Sequence, residues 1–114
     1  VSGTTDRRHT EVFVACVDDM ADGDVTVVEL DVRVAVFRVN GEFFAIDDRC
    51  THQEAHLSDG FVEDSCMVEC PLHASCFDLR TGRPSGPPAV RPVRTHPVIV
   101  RNGSVFVSAT GAAP

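Results

Sequence analysis

Tryptophan, tyrosine and lysine are all missing from this 114-residue chain. Without Trp and Tyr, any core must be filled by Val, Phe, Ile and Leu, and the predominance of Val favours strands over helices. All ten basic residues are Arg, set against seventeen acidic ones, for a net charge of −7. An acidic surface repels nucleic acid and anionic membranes, so neither is expected as a partner. No stretch approaches the roughly 20 apolar residues that cross a bilayer. Val1 to Thr10 is polar and lacks the apolar run of a secretion signal, so we expect a soluble, cytoplasmic protein. Cysteine is present in an odd number, five. In a reducing compartment that speaks against a disulfide framework and for metal binding or plain burial. The length suits one domain, 1–114, and leaves no room for two.

Strand signals run through most of the chain. Val12-Phe13-Val14-Ala15-Cys16-Val17 is a short apolar run closed by Asp18-Asp19, and Ala21-Asp22-Gly23-Asp24 marks a turn before Val25 to Leu30. Val32, Val34 and Val36 lead into Phe37-Arg38-Val39, a partly alternating pattern that predicts a half-buried strand. Asn40-Gly41 then precedes Glu42-Phe43-Phe44-Ala45-Ile46, and Asn102-Gly103 separates Val98–Arg101 from Ser104–Ser108. Asn-Gly accepts the positive φ angles of a type I′ turn, so both segments are predicted β-hairpins. Residues 47 to 94 differ: they are loop-rich, with Gly60, Gly82, Gly86 and Pro84, Pro87, Pro88, Pro92. Their apolar pattern is too sparse for packing to hold them, and a metal centre is the expected organiser. No helix of normal length is predicted. The expected architecture is all-β, with a loop-built site inserted between two hairpins.

Within that middle stretch stand Cys50-Thr51-His52 and, after seventeen intervening residues, Cys70-Pro71-Leu72-His73. Each arm offers one thiolate and one imidazole. A structural zinc site also takes two Cys and two His, but zinc knuckles generally pair Cys with Cys and His with His. Two mixed arms suit two metal ions side by side, one taking both Cys and the other both His. No nucleophile-and-base pair and no Gly-rich phosphate loop accompanies them.

Cys-x-His followed by Cys-x-x-His resembles the motif of Rieske [2Fe–2S] proteins, in which two His replace two Cys on one iron. Asp47-Asp48-Arg49, Leu57-Ser58-Asp59-Gly60, Phe77-Asp78 and Thr81-Gly82 are similar to bacterial Rieske ferredoxins, and Gly86-Pro87-Pro88 to the proline loop that covers their cluster. The similarity runs over about residues 12 to 108. It implies three stacked antiparallel sheets with a cluster-binding subdomain, about 47–94, at one tip. It also implies that Cys50 and Cys70 bind the buried iron and His52 and His73 the outer one. Two ferric ions, two sulfides and two thiolates sum to zero charge, so this centre accepts an electron more readily than an all-Cys cluster, over about −150 to +300 mV. High-potential members carry a disulfide at positions that are Ala55 and Leu72 here, and a Tyr where this chain has Phe77. Ser75 matches a hydroxyl that donates to a bridging sulfide. Fewer donors leave the reduced cluster less stabilised, placing the expected potential at the low end, about −150 mV. Ala74 departs from the family's usual Gly.

The resemblance further implies a role as the one-electron carrier of a bacterial aromatic-ring-hydroxylating dioxygenase. Its expected partners are an NAD(P)H-dependent flavoprotein ferredoxin reductase and a terminal oxygenase component, and it is expected to be a monomer. Docking is expected at the tip, flanked by Leu72 and Pro87-Pro88. No 2-His-1-carboxylate site accompanies the motif, so a carrier and not an enzyme is expected. Two other readings remain: a small protein like the nitrite-reductase small subunit, and a zinc-stabilised interaction module. Among residues outside the motif, Cys16, Cys66 and Cys76 are expected in the core, and a Cys66–Cys76 disulfide is not expected in a reducing compartment. His56 is expected on a solvated loop, and His9 and His96 without partners. Glu54, Asp59 and Glu63 are candidates for an acidic docking rim.

Overall fold

Val34, Ala35, Val36 and Phe37 are four consecutive apolar residues, and all four are fully buried. A strand can bury neighbouring residues only if both of its faces are covered. This one is therefore the middle layer of three, not the half-buried strand its partial alternation suggested. The computed structural model describes residues 11–51, 54–72 and 75–108. In it, β1 (Glu11–Cys16), β9 (Val98–Arg101) and β10 (Ser104–Ser108) form one sheet in the order β1-β10-β9. The central sheet runs β2-β3-β4-β8, from Val25–Glu29, Arg33–Val39, Glu42–Asp47 and Thr95–His96. A third sheet joins β5 (Phe61–Glu63), β6 (Met67–Glu69) and β7 (Cys76–Asp78). All strand pairs are antiparallel. Among the described residues helical structure is limited to two 3-10 turns, Val17–Asp19 and Leu57–Asp59, and no helix is long and apolar enough to cross a membrane.

The two faces of β3 serve two cores. Val34 and Val36 pack with Val14, Ala45, Val105 and Val107 against the terminal sheet. Ala35, Phe37 and Val39 pack with Ile46, Leu57, Val68, Phe77, Leu79 and Val93 against the third sheet and its loops. Residues 47–94 thus bury a core of their own, which corrects the expectation that packing could not hold them. Their strands span only three residues each, too short for a periodic pattern to register. The three-sheet architecture implied by the family resemblance is the one observed.

Both Asn-Gly hairpins form as expected. Asn40 and Gly41 have φ of 53° and 82°, and Asn102 and Gly103 have 54° and 79°, the left-handed pair of a type I′ turn. The first turn also braces the third sheet, because Asn40 Nδ2 donates to the Asp64 carbonyl at 3.2 Å. In β1 the pairing with β10 slips between Phe13 and Ala15, leaving Val14 as an extra residue. That bulge turns Val14 and Ala15 to the core side in succession and sends Cys16 outward, beside Ser104. Cys16 is accordingly exposed, contrary to its expected place in the core.

Two glycines let backbone pass close to backbone around the third sheet. A Cβ on Gly60 would sit 2.0 Å from the Glu69 carbonyl oxygen, and one on Gly82, whose φ is +79°, 2.1 Å from that of Val93. Gly86 has open space around it. Gly82→Ala is therefore expected to cost about 2–4 kcal/mol from backbone strain and overpacking. Gly86→Ala should stay within about 0.5 kcal/mol of the parent. Urea unfolding of the two variants side by side checks the contrast.

Candidate metal centre

Two loops, one following β4 and one joining β6 to β7, are closed in the same way. The Cys50 N–H donates to the Ala55 carbonyl at 3.0 Å, and the Cys70 N–H donates to the Ser75 carbonyl at 2.8 Å. Each cysteine thus sits at the base of a four-residue loop, paired with the residue five positions on. Both cysteines are almost wholly buried, at 2% and 0% exposure, in the same apolar core as Leu57, Phe77 and Ala89. His52 and His73 lie outside the described residues.

The first loop is anchored by a buried carboxylate. Asp48 is completely inaccessible. Its oxygens accept bonds from the Ser58 N–H at 2.7 Å, the Ser58 hydroxyl at 3.1 Å and the Arg33 Nε at 2.7 Å. Its backbone N–H donates to the Arg33 carbonyl at 2.9 Å, and its own carbonyl accepts from Leu57 at 2.6 Å. Both ends of the loop are thereby pinned to the start of β3. The hydrogen bond that Arg33 donates to Asp48 in turn raises its guanidinium above the usual range. The second loop is simply the β6–β7 connection, held by the Glu69–Cys76 pair at its base.

A strap, residues 84–93, ties the loops together. Thr51 Oγ1 donates to the Arg91 carbonyl at 2.8 Å, and the Ala89 N–H donates to Ser75 Oγ at 2.9 Å. Because the Ser75 oxygen is the acceptor there, its own proton remains to be donated. Between the loops lies a groove of about 490 Å³ lined by Arg49, Glu54, Ala55, His56, Asp59, Pro71 and Leu72. Ala55 and Leu72 both face it. Phe77 is fully buried in the core.

The donor chemistry fits an iron–sulfur centre. Buried thiolates in apolar surroundings are costly unless a metal neutralises them, and soft thiolates together with imidazoles suit iron. Around this centre several residues depart from expectation. His96 is buried and has a partner after all, with its Nε2 2.7 Å from Asp47 Oδ1, while Arg94 Nε approaches the other oxygen at 3.1 Å. That pair is invisible in sequence because 49 positions separate its members. Cys66 is buried as expected, but with a left-handed φ of 70° in the β5–β6 turn. Cys76 is only half-buried, on the outer face beside Glu63 and Glu69. Neither is in a disulfide. His56 is exposed as expected, and His9 lies outside the described residues. Glu54 is held by Arg49 at 2.8 Å, while Asp59 and Glu63 are exposed and pair with no arginine among the described residues.

With this geometry in place, comparison with known proteins is decisive about kinship. The Rieske [2Fe-2S] domain family matches residues 10–97. The chain is 43% identical over 99 residues to the 3-phenylpropionate/cinnamic acid dioxygenase ferredoxin subunit of Photorhabdus laumondii, covering 87% of this chain and 94% of that one. Its structure superposes on the ferredoxin of carbazole 1,9a-dioxygenase from Nocardioides aromaticivorans with a TM-score of 0.82 and 39% identity, covering 87% of this chain and 97% of that one. A ferredoxin solved in complex with the oxygenase of carbazole 1,9a-dioxygenase gives 0.85 and 32%, with 91% and 97% covered. The chain belongs to the Rieske [2Fe–2S] domain family, and its cofactor is one cluster of the Rieske type.

Two expectations follow from the anchors and the thiols. In Asp48→Ala the half-buried Ser58 donors and Arg33 Nε lose their shared acceptor, a loss of about 2 kcal/mol. Chemical denaturation should show that loss together with faster release of iron. Burial first, then the Glu63 and Glu69 carboxylates, push the Cys76 thiol above its usual pKa, and burial does the same to Cys66. A raised pKa lowers the thiolate fraction at any pH below it, so both react slowly and gain reactivity only as the pH climbs past the ordinary thiol range. Brief alkylation at pH 8 should therefore label exposed Cys16 first, as peptide mass spectrometry can read.

Proposed function

We propose that Cys50, His52, Cys70 and His73 hold the cluster, with the thiolates on the inner iron and the imidazoles on the outer one. The observation that carries this reading is the matched closure of the two loops, each at a buried cysteine and each with a histidine in its four-residue span. On this reading the whole chain, 1–114, is one Rieske ferredoxin domain whose cluster-binding part covers about 47–94.

The chain would then serve an aromatic-ring-hydroxylating dioxygenase as its soluble electron carrier in the cytoplasm. The cluster supplies one-electron redox chemistry. The protein's own residues exclude water from the thiolates (Leu57, Phe77 and Ala89), offer the Ser75 hydroxyl as a donor, and pin both loops so that little rearranges on reduction. An NAD(P)H-dependent flavoprotein reductase is the proposed electron source and the terminal oxygenase the acceptor. The similarity to ferredoxin subunits over 94–97% of their length supports that role. Such an interface is expected to be small and short-lived, because each turnover needs release.

Electron paramagnetic resonance of the dithionite-reduced protein tests the assignment. The expected result is a rhombic signal averaging below that of all-Cys clusters, with a potential of about −150 mV by voltammetry. His73→Ala should lose the visible spectrum and the bound iron. A native-like spectrum in that variant, or a colourless protein with stoichiometric zinc, would overturn the ligand assignment.

A further inference from the structure

The strap that ties the two loops together carries an apolar outer surface. From Pro87 to Pro92 it reads Pro-Pro-Ala-Val-Arg-Pro. Ala89, at 2% exposure, and Val93, at 4%, turn inward and pin the strap to the core. Pro87, Pro88, Val90 and Pro92 stay exposed between and beside these anchors. Val90, at 78%, is the most exposed large apolar side chain among the described residues. A single exposed valine is ordinary, but four apolar residues out of six form a ridge. The only charge in the stretch is Arg91, which is exposed and pairs with no carboxylate among the described residues.

The tethers place Val90 beside both loops. The residue before it donates its N–H to Ser75 Oγ, and the residue after it accepts from Thr51 Oγ1. Its Cα is therefore one step, about 3.8 Å, from a tether to either loop. Ser75 closes the loop that begins at Cys70, and Thr51 directly follows Cys50. The two hydrogen bonds, with a proline pair before and Pro92 after, fix the backbone on both sides of the valine. Leu72, 58% exposed, adds a second apolar side chain from the Cys70 loop.

We infer that Val90 is an apolar anchor for docking, received by a shallow apolar depression on the terminal oxygenase, with Arg91 meeting a carboxylate at the rim of that depression. The inference rests on the carrier role proposed above and names a contact through which it is exercised. Charge complementarity sets the chemistry of the partner. In a chain of net charge −7, the arginine next to the most exposed apolar side chain is left without a carboxylate, so the matching group belongs to the other protein. Because the strap is already held, docking buries Val90 without having to order it. That suits an interface that must be small and must release at every turnover.

The experiment is stopped-flow oxidation of the dithionite-reduced, cluster-loaded protein by the terminal oxygenase of its dioxygenase system, over a range of oxygenase concentrations. Wild type is compared with Val90→Ser, Val90→Ile and Arg91→Glu, each matched to it in iron content and visible spectrum. Val90→Ser should lower the second-order rate constant about tenfold and leave the limiting rate at saturating oxygenase within about twofold. Val90→Ile should keep the wild-type rate constant. Benzoquinone, a small oxidant that needs no docking surface, should oxidise both Val90 variants as fast as the wild type. Arg91→Glu should slow transfer about fivefold at about 20 mM salt and recover at about 500 mM, where the Debye length falls to a few Å. Attraction by net negative charge alone gives the opposite sign, so faster or unchanged transfer in Arg91→Glu overturns the acidic contact. An unchanged second-order rate constant in Val90→Ser overturns the anchor and leaves the carrier role standing. So does equal slowing with benzoquinone, or slowing confined to reduction by the reductase. No transfer from the wild type to the oxygenase overturns both.

Discussion

Two cysteines are each held, buried, at the base of a closed loop, and most of the structure bears on those two closures. A four-residue loop has few internal bonds of its own, so its shape is set where it is closed. Here each closure is a hydrogen bond from the cysteine N–H to a carbonyl five residues on. The same bond satisfies a buried donor and fixes the direction in which the thiol points. The remaining anchors act on those closures. Asp48 binds the first loop to β3, the β6–β7 ladder carries the second, and the strap at Ala89 and Arg91 joins the two.

The central sheet makes this rigidity possible. β3 is buried on both faces, so one strand transmits the packing of the terminal sheet to the loop-bearing one. Arg33 stands at the start of the same strand and reaches Asp48, which places the buried carboxylate at the junction of scaffold and site. Close backbone passages at Gly60 and Gly82 draw the first loop and the strap against the third sheet. Stability and electron transfer share these contacts, because a centre whose ligands shift little on reduction needs a frame that shifts little as well.

Much of the fold was legible in the residues. The two Asn-Gly hairpins appear where their turn chemistry demands positive φ, and the strands flanking them follow their apolar runs. What failed did so for identifiable reasons. Cys16 continues the inward alternation of Val12 and Val14 on paper, but a bulge at Val14 turns it out. The strands of the third sheet left no mark in the apolar pattern, because runs of three residues carry no measurable period, and only the family resemblance implied that sheet. β3 looked half-buried because Arg33 and Arg38 interrupt its apolar positions, although Arg38 spends its guanidinium on the Val17 and Met20 carbonyls. At the site, the motif on which the ligand proposal rests was explicit in Cys50-Thr51-His52 and Cys70-Pro71-Leu72-His73, but Asp48 was visible only as a neighbour of Cys50.

By itself the sequence determined the chemistry: which donors are present, how they are spaced, and hence which centre they suit. Ligand identity is a property of residue types and short separations, and those survive in one dimension. Tertiary structure alone decided what surrounds the centre, because burial and pairing join residues far apart along the chain. Ser58 meets a carboxylate ten residues earlier, Thr51 meets a carbonyl 40 residues later, and Asp47 meets an imidazole 49 residues away.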